Sequence, residues 1–139
     1  MITFEDVKNN PEVQELIVGA QKQLNALGYT EHSNRHIGIV SKRTGEILQK
    51  LGFSERTIEL GKIAAYMHDI GNLVNRSEHS QSGAVMAFRI LDNLGMPADE
   101  IATIVTAIGN HDEGTGVPVN PVAAALIIAD KSDVRRTRV

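Results

Sequence analysis

Six side chains spread along this sequence could share one chemical task. They are His36, the adjacent pair His68-Asp69, His79, His111 and Asp130, and they include four of the five histidines. Imidazole nitrogens and carboxylate oxygens are the donors that hold Zn, Mn or Fe. The chain has no cysteine, so thiolate ligands are excluded. A helical fold can bring ligands from distant helices onto one ion. The set therefore points to a metal centre, and such a centre can activate water for hydrolysis.

Taken singly, each residue also has a plain structural explanation. His36 sits among apolar neighbours and could be a core histidine bonded to a carbonyl. His68 and Asp69 diverge by about 100° if both are fully helical, but a helix end lets both turn toward one point. Gly71 places such an end nearby. Asp130 follows the apolar run 123–129, where a carboxylate is costly unless it is paired or binds metal. A buried salt bridge with Lys131 or an arginine would also satisfy it. His79 and His111 lie beside polar stretches and could be solvated or cap a helix. His32, four residues before His36, reads as a surface or capping residue, and Asp112 and Glu113 read as solvated loop acids.

The elements that must position these groups are helical. Thr3 with Asp6 resembles a capping box. Asn10-Pro11 is an N-cap followed by proline at the first helical position, and Gly28 ends that segment. Val13, Leu16, Ile17, Ala20, Leu24 and Leu27 form its apolar stripe. Ser33 can cap the next helix, which carries His36 at mid-helix and Ile37, Val40, Ile47, Leu48 and Leu51 inward, with Gly52 as its stop. Ser54 opens a third helix leading to His68. Residues 72–78 read as loop. A fourth helix places Ala84, Ala87, Phe88 and Leu91 inward and closes at Gly95. Pro97 begins a fifth, residues 109–120 read as loop, and Asn120-Pro121 starts a last helix expected to run to Val139. No segment alternates as a strand would. The expected fold is all-α, a compact bundle of about five to seven helices, forming one domain over residues 1–139. The charged helical ending leaves open a cut from a longer chain.

Composition narrows the function further. With 139 residues the chain can bury a real core, built from aliphatic residues because aromatics make up only 4%. The net charge of −3, with acids and bases interspersed, argues against a nucleic-acid surface or a polybasic membrane patch. A small phosphorylated substrate stays compatible, because metal ions supply positive charge. The start of the chain lacks the regions of a signal peptide, and a cytoplasmic location is expected. The oligomeric state is left open, a dimer included.

The order His, His-Asp, His, His, Asp resembles the HD-domain superfamily of metal-dependent phosphohydrolases, from about residue 30 to residue 135. His68-Asp69-Ile70-Gly71-Asn72 is similar to the family's His-Asp-Ile-Gly-Lys segment. His79 is followed shortly by small residues, like the family's second-metal histidine. Ala129-Asp130-Lys131 matches its terminal Ala-Asp-Lys.

The resemblance implies that His36, His68, Asp69 and Asp130 hold one metal. It implies that His79 and His111 hold a second, with Asp69 shared between the two and orienting the attacking water. One or two divalent transition metals are expected, iron or manganese ahead of zinc, cobalt, nickel or magnesium. Lys131 could contact substrate phosphate or be a solvated lysine, and Arg76 and Arg135 are weaker candidates. The implied reaction is cleavage of a phosphate ester or phosphoanhydride in a nucleotide-like or other small phosphorylated substrate. Departures from the cyclic-dinucleotide phosphodiesterase branch, called HD-GYP, argue against cyclic di-GMP. Asn72 replaces its lysine, Asn110 stands where it has the first of two adjacent histidines, and Gly116-Val117-Pro118 lacks its tyrosine. The His79 and His111 pair is more similar to the dinuclear branch that includes dinucleoside tetraphosphate hydrolases. The alternative is a non-catalytic metal- or nucleotide-sensing module on the same fold, which would bind metal without turnover.

Overall fold

Local capping chemistry sets the helix boundaries. In the computed structural model, residues 1–29, 34–112 and 117–133 are described. These contain seven α-helices and no strand. They are α1 (Phe4–Lys8), α2 (Pro11–Ala26), α3 (Asn34–Lys50), α4 (Glu55–Met67), α5 (His79–Asn93), α6 (Ala98–Gly109) and α7 (Pro121–Ser132), with a 3-10 turn at Ile70–Leu73 between α4 and α5. The Thr3–Asp6 capping box forms as expected. Asn10, Ser54 and Asn120 each accept a backbone N–H of the first turn, which satisfies a donor the helix cannot use. Gly28, Gly52 and Gly95 follow helix ends with positive φ.

Helix α4 is the axis of the fold. Ile63, Ala64, Ala65 and Met67 are fully buried, and α4 packs against α1, α3, α6 and α7. Gly61 lets Leu48 of α3 lie against the α4 backbone, where a Cβ would collide with it. Each buried Leu or Ile contributes about 1.5–3 kcal/mol, so the large aliphatics of α3, α4 and α6 supply most of the cohesion. Arg56 adds a polar tie. Its guanidinium donates to both carboxylate oxygens of Glu100, at 2.8 and 2.6 Å, and to the Ile2 carbonyl at 2.7 Å.

The 3-10 turn is pressed against α5. At Gly71 a Cβ would collide with the His79 carbonyl oxygen and the Gly83 nitrogen, so only glycine allows this approach. Glu78, immediately before α5, takes a left-handed conformation with φ of 56°, uncommon for a residue with a side chain. Together these two features bring the first residue of α5, His79, back beside the end of α4.

Several expectations need correction. Phe88 is about half exposed on the outer face of α5, and Leu27 and Leu51 are exposed just beyond their helices. His36 lies in the first turn of α3, not at its middle. Gly109 is the last residue of α6, and Asn72 and Leu73 belong to the 3-10 turn. The last helix stops at Ser132, because Asp133 leaves helical geometry with ψ of 71°. Residues 134–139, Ser33 as a cap, and His32 lie outside the described residues.

Candidate metal centre

Five of the six singled-out side chains are buried, and Asp130 is half-buried. They come from five places in the fold. His36 enters from the start of α3, His68 caps the C-terminus of α4, and Asp69 is the next residue. His79 opens α5, His111 follows the C-cap of α6, and Asp130 lies in the last turn of α7. Asp69 has φ of −99° and ψ of 2°, in the sparsely populated bridge region. That break from the helix lets His68 and Asp69 face the same point.

The donor atoms cluster tightly. His36 Nε2 lies 3.5 Å from Asp69 Oδ2 and 3.2 Å from Asp130 Oδ1. His68 Nε2 lies 3.4 Å from Asp69 Oδ2 and 3.5 Å from Asp130 Oδ1. Ligand atoms about 2.1 Å from an ion at tetrahedral angles stand about 3.4 Å apart, so this spacing suits a metal. The other oxygen of Asp69, Oδ1, lies 3.8 Å from His79 Nε2. His111 completes a second group with His68 and Asp69, all donor atoms within 4.8 Å of one another. The four rings meet edge to face in the order His36, His68, His111, His79, with centroids 5.3, 5.1 and 5.1 Å apart.

The far side of each imidazole is anchored. Nδ1 of His68 lies 2.6 Å from the Ala65 carbonyl, that of His111 2.5 Å from the Ile108 carbonyl, and that of His79 3.2 Å from the Arg76 carbonyl. Nδ1 of His36 lies 2.7 Å from Asp133 Oδ2. A carbonyl only accepts, so Nδ1 of His68, His79 and His111 must carry the hydrogen. In the neutral imidazole, the form that binds metal, Nε2 then presents a lone pair to the centre. For His68 and His111 that Nε2 is buried without a hydrogen-bond partner among the described residues. Leaving such a group unsatisfied costs about 1–3 kcal/mol. A cation would satisfy both, and the residues present fit one.

Electrostatics divide the cluster. Burial disfavours a charged His36, but hydrogen bonds to Asp130 and Asp69 overcome it and push its pKa up to about 9. His68 moves in the same direction: burial opposes its charge, and Asp69 and Asp130 outweigh burial. Burial pushes His111 down to about 4, helped by neighbouring His68, and pushes His79 down as well. Asp130 is also opposed by burial, yet the imidazoles of His36 and His68 beside it hold it far below the usual carboxylate range. Without metal, one half of the pocket therefore pairs carboxylates with proton-holding imidazoles, and the other offers neutral imidazoles.

Asp133 is the residue that the sequence reading missed. Its signal was present, because it stands three residues after Asp130 on the same helical face. Among the described residues Asp130 faces the two histidines, while Lys131, one of the partners a salt bridge offered it, is exposed on α7. Arg76 is half-buried. It donates to Asn72 Oδ1 at 3.1 Å and lies 5.3 Å from the centre of the Tyr29 ring. Asn72 in turn donates to the Asp69 carbonyl at 2.8 Å. Asp112 is half-buried, and its charge reaches His79. Arg135 and Glu113 lie outside the described residues.

This helical fold, with its paired carboxylates and inward imidazoles, is that of HD domains, a class that binds divalent metals. The HD-domain family model matches residues 34–135, and the chain belongs to that family. It is 28% identical to MJ1020, an uncharacterized protein of Methanocaldococcus jannaschii, across 99% of this chain. The match takes in 61% of that relative, so the chain spans about three-fifths of its length. Among solved structures it shares its fold with a protein described as a predicted HD superfamily hydrolase, from an uncultured Thermotogales bacterium. The TM-score is 0.67 at 23% identity, over 96% of this chain and 74% of the other. No helix among the described residues is long and apolar enough to cross a membrane.

Proposed function

We propose that this chain is a metal-dependent phosphohydrolase that cleaves a phosphate ester or phosphoanhydride in a small, nucleotide-like substrate. One observation carries the reading: the two oxygens of Asp69 face different donor groups, Oδ2 toward His36 and His68, and Oδ1 toward His79. His36, His68, Asp69 and Asp130 would hold one divalent ion, and His79 and His111, sharing Asp69, a second. Such ions, with iron or manganese preferred, would polarise a phosphoryl oxygen and make water acidic enough to attack it.

The chain's own residues then do the positioning. Carbonyls of α4 and α6 and of the segment before α5 fix three imidazoles as acceptors at Nε2. Asp69 is the residue assigned to orient the attacking water. Asn72 holds its backbone, so a shift of the 3-10 turn would misplace both sides at once. Arg76, steadied by Asn72 and Tyr29, and Lys131, beside Asp130, are the cations assigned to substrate phosphate.

Metal content of wild type and Asp69→Ala, measured side by side by plasma mass spectrometry, tests the centre. Close to two ions per chain, lost in the variant, supports it, and phosphate release from nucleotides and phosphate esters then defines the substrate. One ion would remove the roles given to His79 and His111. Tight metal binding with no turnover on any phosphate would favour a sensor. No metal after reconstitution would end the hydrolase reading.

A further inference from the structure

A groove of about 350 Å³ lies between α1, α3 and α4. Its lining along α3 includes Gly38, Ser41, Lys42 and Gly45. At 100° per residue, Gly38 stands about 200° around the helix from His36, so the groove and the metal centre use opposite faces of α3. Lys8, Lys42 and Lys62 line it against one carboxylate, Glu46, in a chain whose net charge is −3.

Three independent features mark it as built. First, Lys62 is held in place. Its aliphatic stem crosses the bare backbone of Gly45, where a Cβ would press within 3.1 Å, and its ammonium sits 4.8 Å from the centre of the Phe4 ring. Second, Gly38 is an exposed glycine inside a helix, and a Cβ there would meet nothing within 4 Å. Glycine weakens a helix relative to alanine, and no packing among the described residues explains it; close approach of a ligand to the backbone would. Third, Ser41, one turn further on, is 3% exposed and its hydroxyl has no partner among the described residues.

We propose that this groove is a second binding site, for a small polyphosphate anion such as pyrophosphate or a nucleoside diphosphate. Lys62 and Lys42 neutralise the phosphates and Lys8 closes the α1 side. The bare backbone at Gly38 lets the anion settle close to α3. The Phe4 and Tyr66 side chains form the apolar wall for any organic part.

The test is a titration of the isotope-labelled 139-residue chain with inorganic pyrophosphate and, separately, ADP, followed by amide NMR. Parallel titrations use Gly38→Ala, Lys62→Gln and the metal-centre variant Asp69→Ala. Saturable shifts are expected at Gly38, Ser41, Lys42 and Gly45. Affinity should fall at least fivefold in Gly38→Ala and Lys62→Gln and stay unchanged in Asp69→Ala. The Gly38→Ala variant should melt no lower than wild type, which separates lost binding from lost folding. The proposal is overturned if either groove variant binds like wild type, if shifts cluster around Asp69 and vanish in Asp69→Ala, or if neither probe saturates at millimolar concentration. Because Asp69→Ala disables the metal centre, these outcomes are independent of the hydrolase reading.

Discussion

Asp133 Oδ2 and His36 Nδ1 lie 2.7 Å apart, a contact that joins residues 97 positions apart in sequence and ties the end of α7 to the start of α3. The carboxylate aims the opposite nitrogen of His36 at Asp69 and Asp130. Carboxylates behind ligating histidines typically change metal affinity 10- to 100-fold. Asp133→Ala is expected to weaken metal binding by about that factor, and Asp133→Asn, which keeps an acceptor, by less. Competition with a coloured chelator measures both. Equal affinity in wild type and Asp133→Ala would show that His36 needs no such support.

The metal-stripped protein should have a stability optimum near pH 6.5. His36, pushed up to about 9, binds a proton in the folded chain that the unfolded chain has lost. Its contribution is complete below about pH 6.5 and disappears as pH rises through 9, with a ceiling of roughly 3 kcal/mol. His68 acts in the same sense. His111, pushed down to about 4, works on the other side. Between pH 4 and 6.5 the unfolded chain binds the extra proton, so stability falls as pH drops through that window. Urea midpoints across pH 4–9 in chelator should trace this arch. A flat line above pH 6.5 would contradict the proton-binding role of His36.

Gly71→Ala should be among the most damaging single-methyl changes in the protein. The new Cβ would strike backbone, not a flexible side chain, so α5 must move away from the 3-10 turn. A loss of about 3 kcal/mol or more is expected. Any protein that still folds should lose the ion assigned to His79 and His111 before the other. Gly109→Ala is the control, because its Cβ would meet only the Ala84 Cβ at an ordinary 3.6 Å. Thermal melts of the two variants should therefore diverge widely.

Arg56→Ala should cost about 1–2 kcal/mol without changing metal content. The side chain is largely sheltered and makes a two-pronged contact with Glu100, which places it above an ordinary surface pair. Its bonds to Glu100 raise its pKa further, burial opposes the charge, and Glu59 adds to the rise. Chemical denaturation paired with metal analysis separates stability from site integrity.

Much of this organisation was legible because it is local. Asn10-Pro11, Ser54 and Asn120-Pro121 specify helix starts within three residues, and each forms as read. The candidate ligands were legible from their order. What escaped was decided across space. On α5 the periodicity correctly puts Ala84, Ala87 and Leu91 inward, but the edge of the covered face is set by the neighbouring helices, and Phe88 meets solvent. The backbone contact between Gly71 and α5 has no side-chain pattern to announce it. Asp133 matters only because α7 ends over the start of α3, a fact of topology.

The anchors behind the four imidazoles differ in kind. Three are main-chain carbonyls, which every residue type possesses, so no substitution at Ala65, Arg76 or Ile108 deletes them. The fourth, Asp133, is a side chain. Evolutionary drift or directed mutagenesis can therefore adjust the electron-donating power of one imidazole, His36, by a single codon, while the other three are adjustable only by moving the backbone. Natural variation in metal preference among relatives with this arrangement should accordingly concentrate at the position of Asp133.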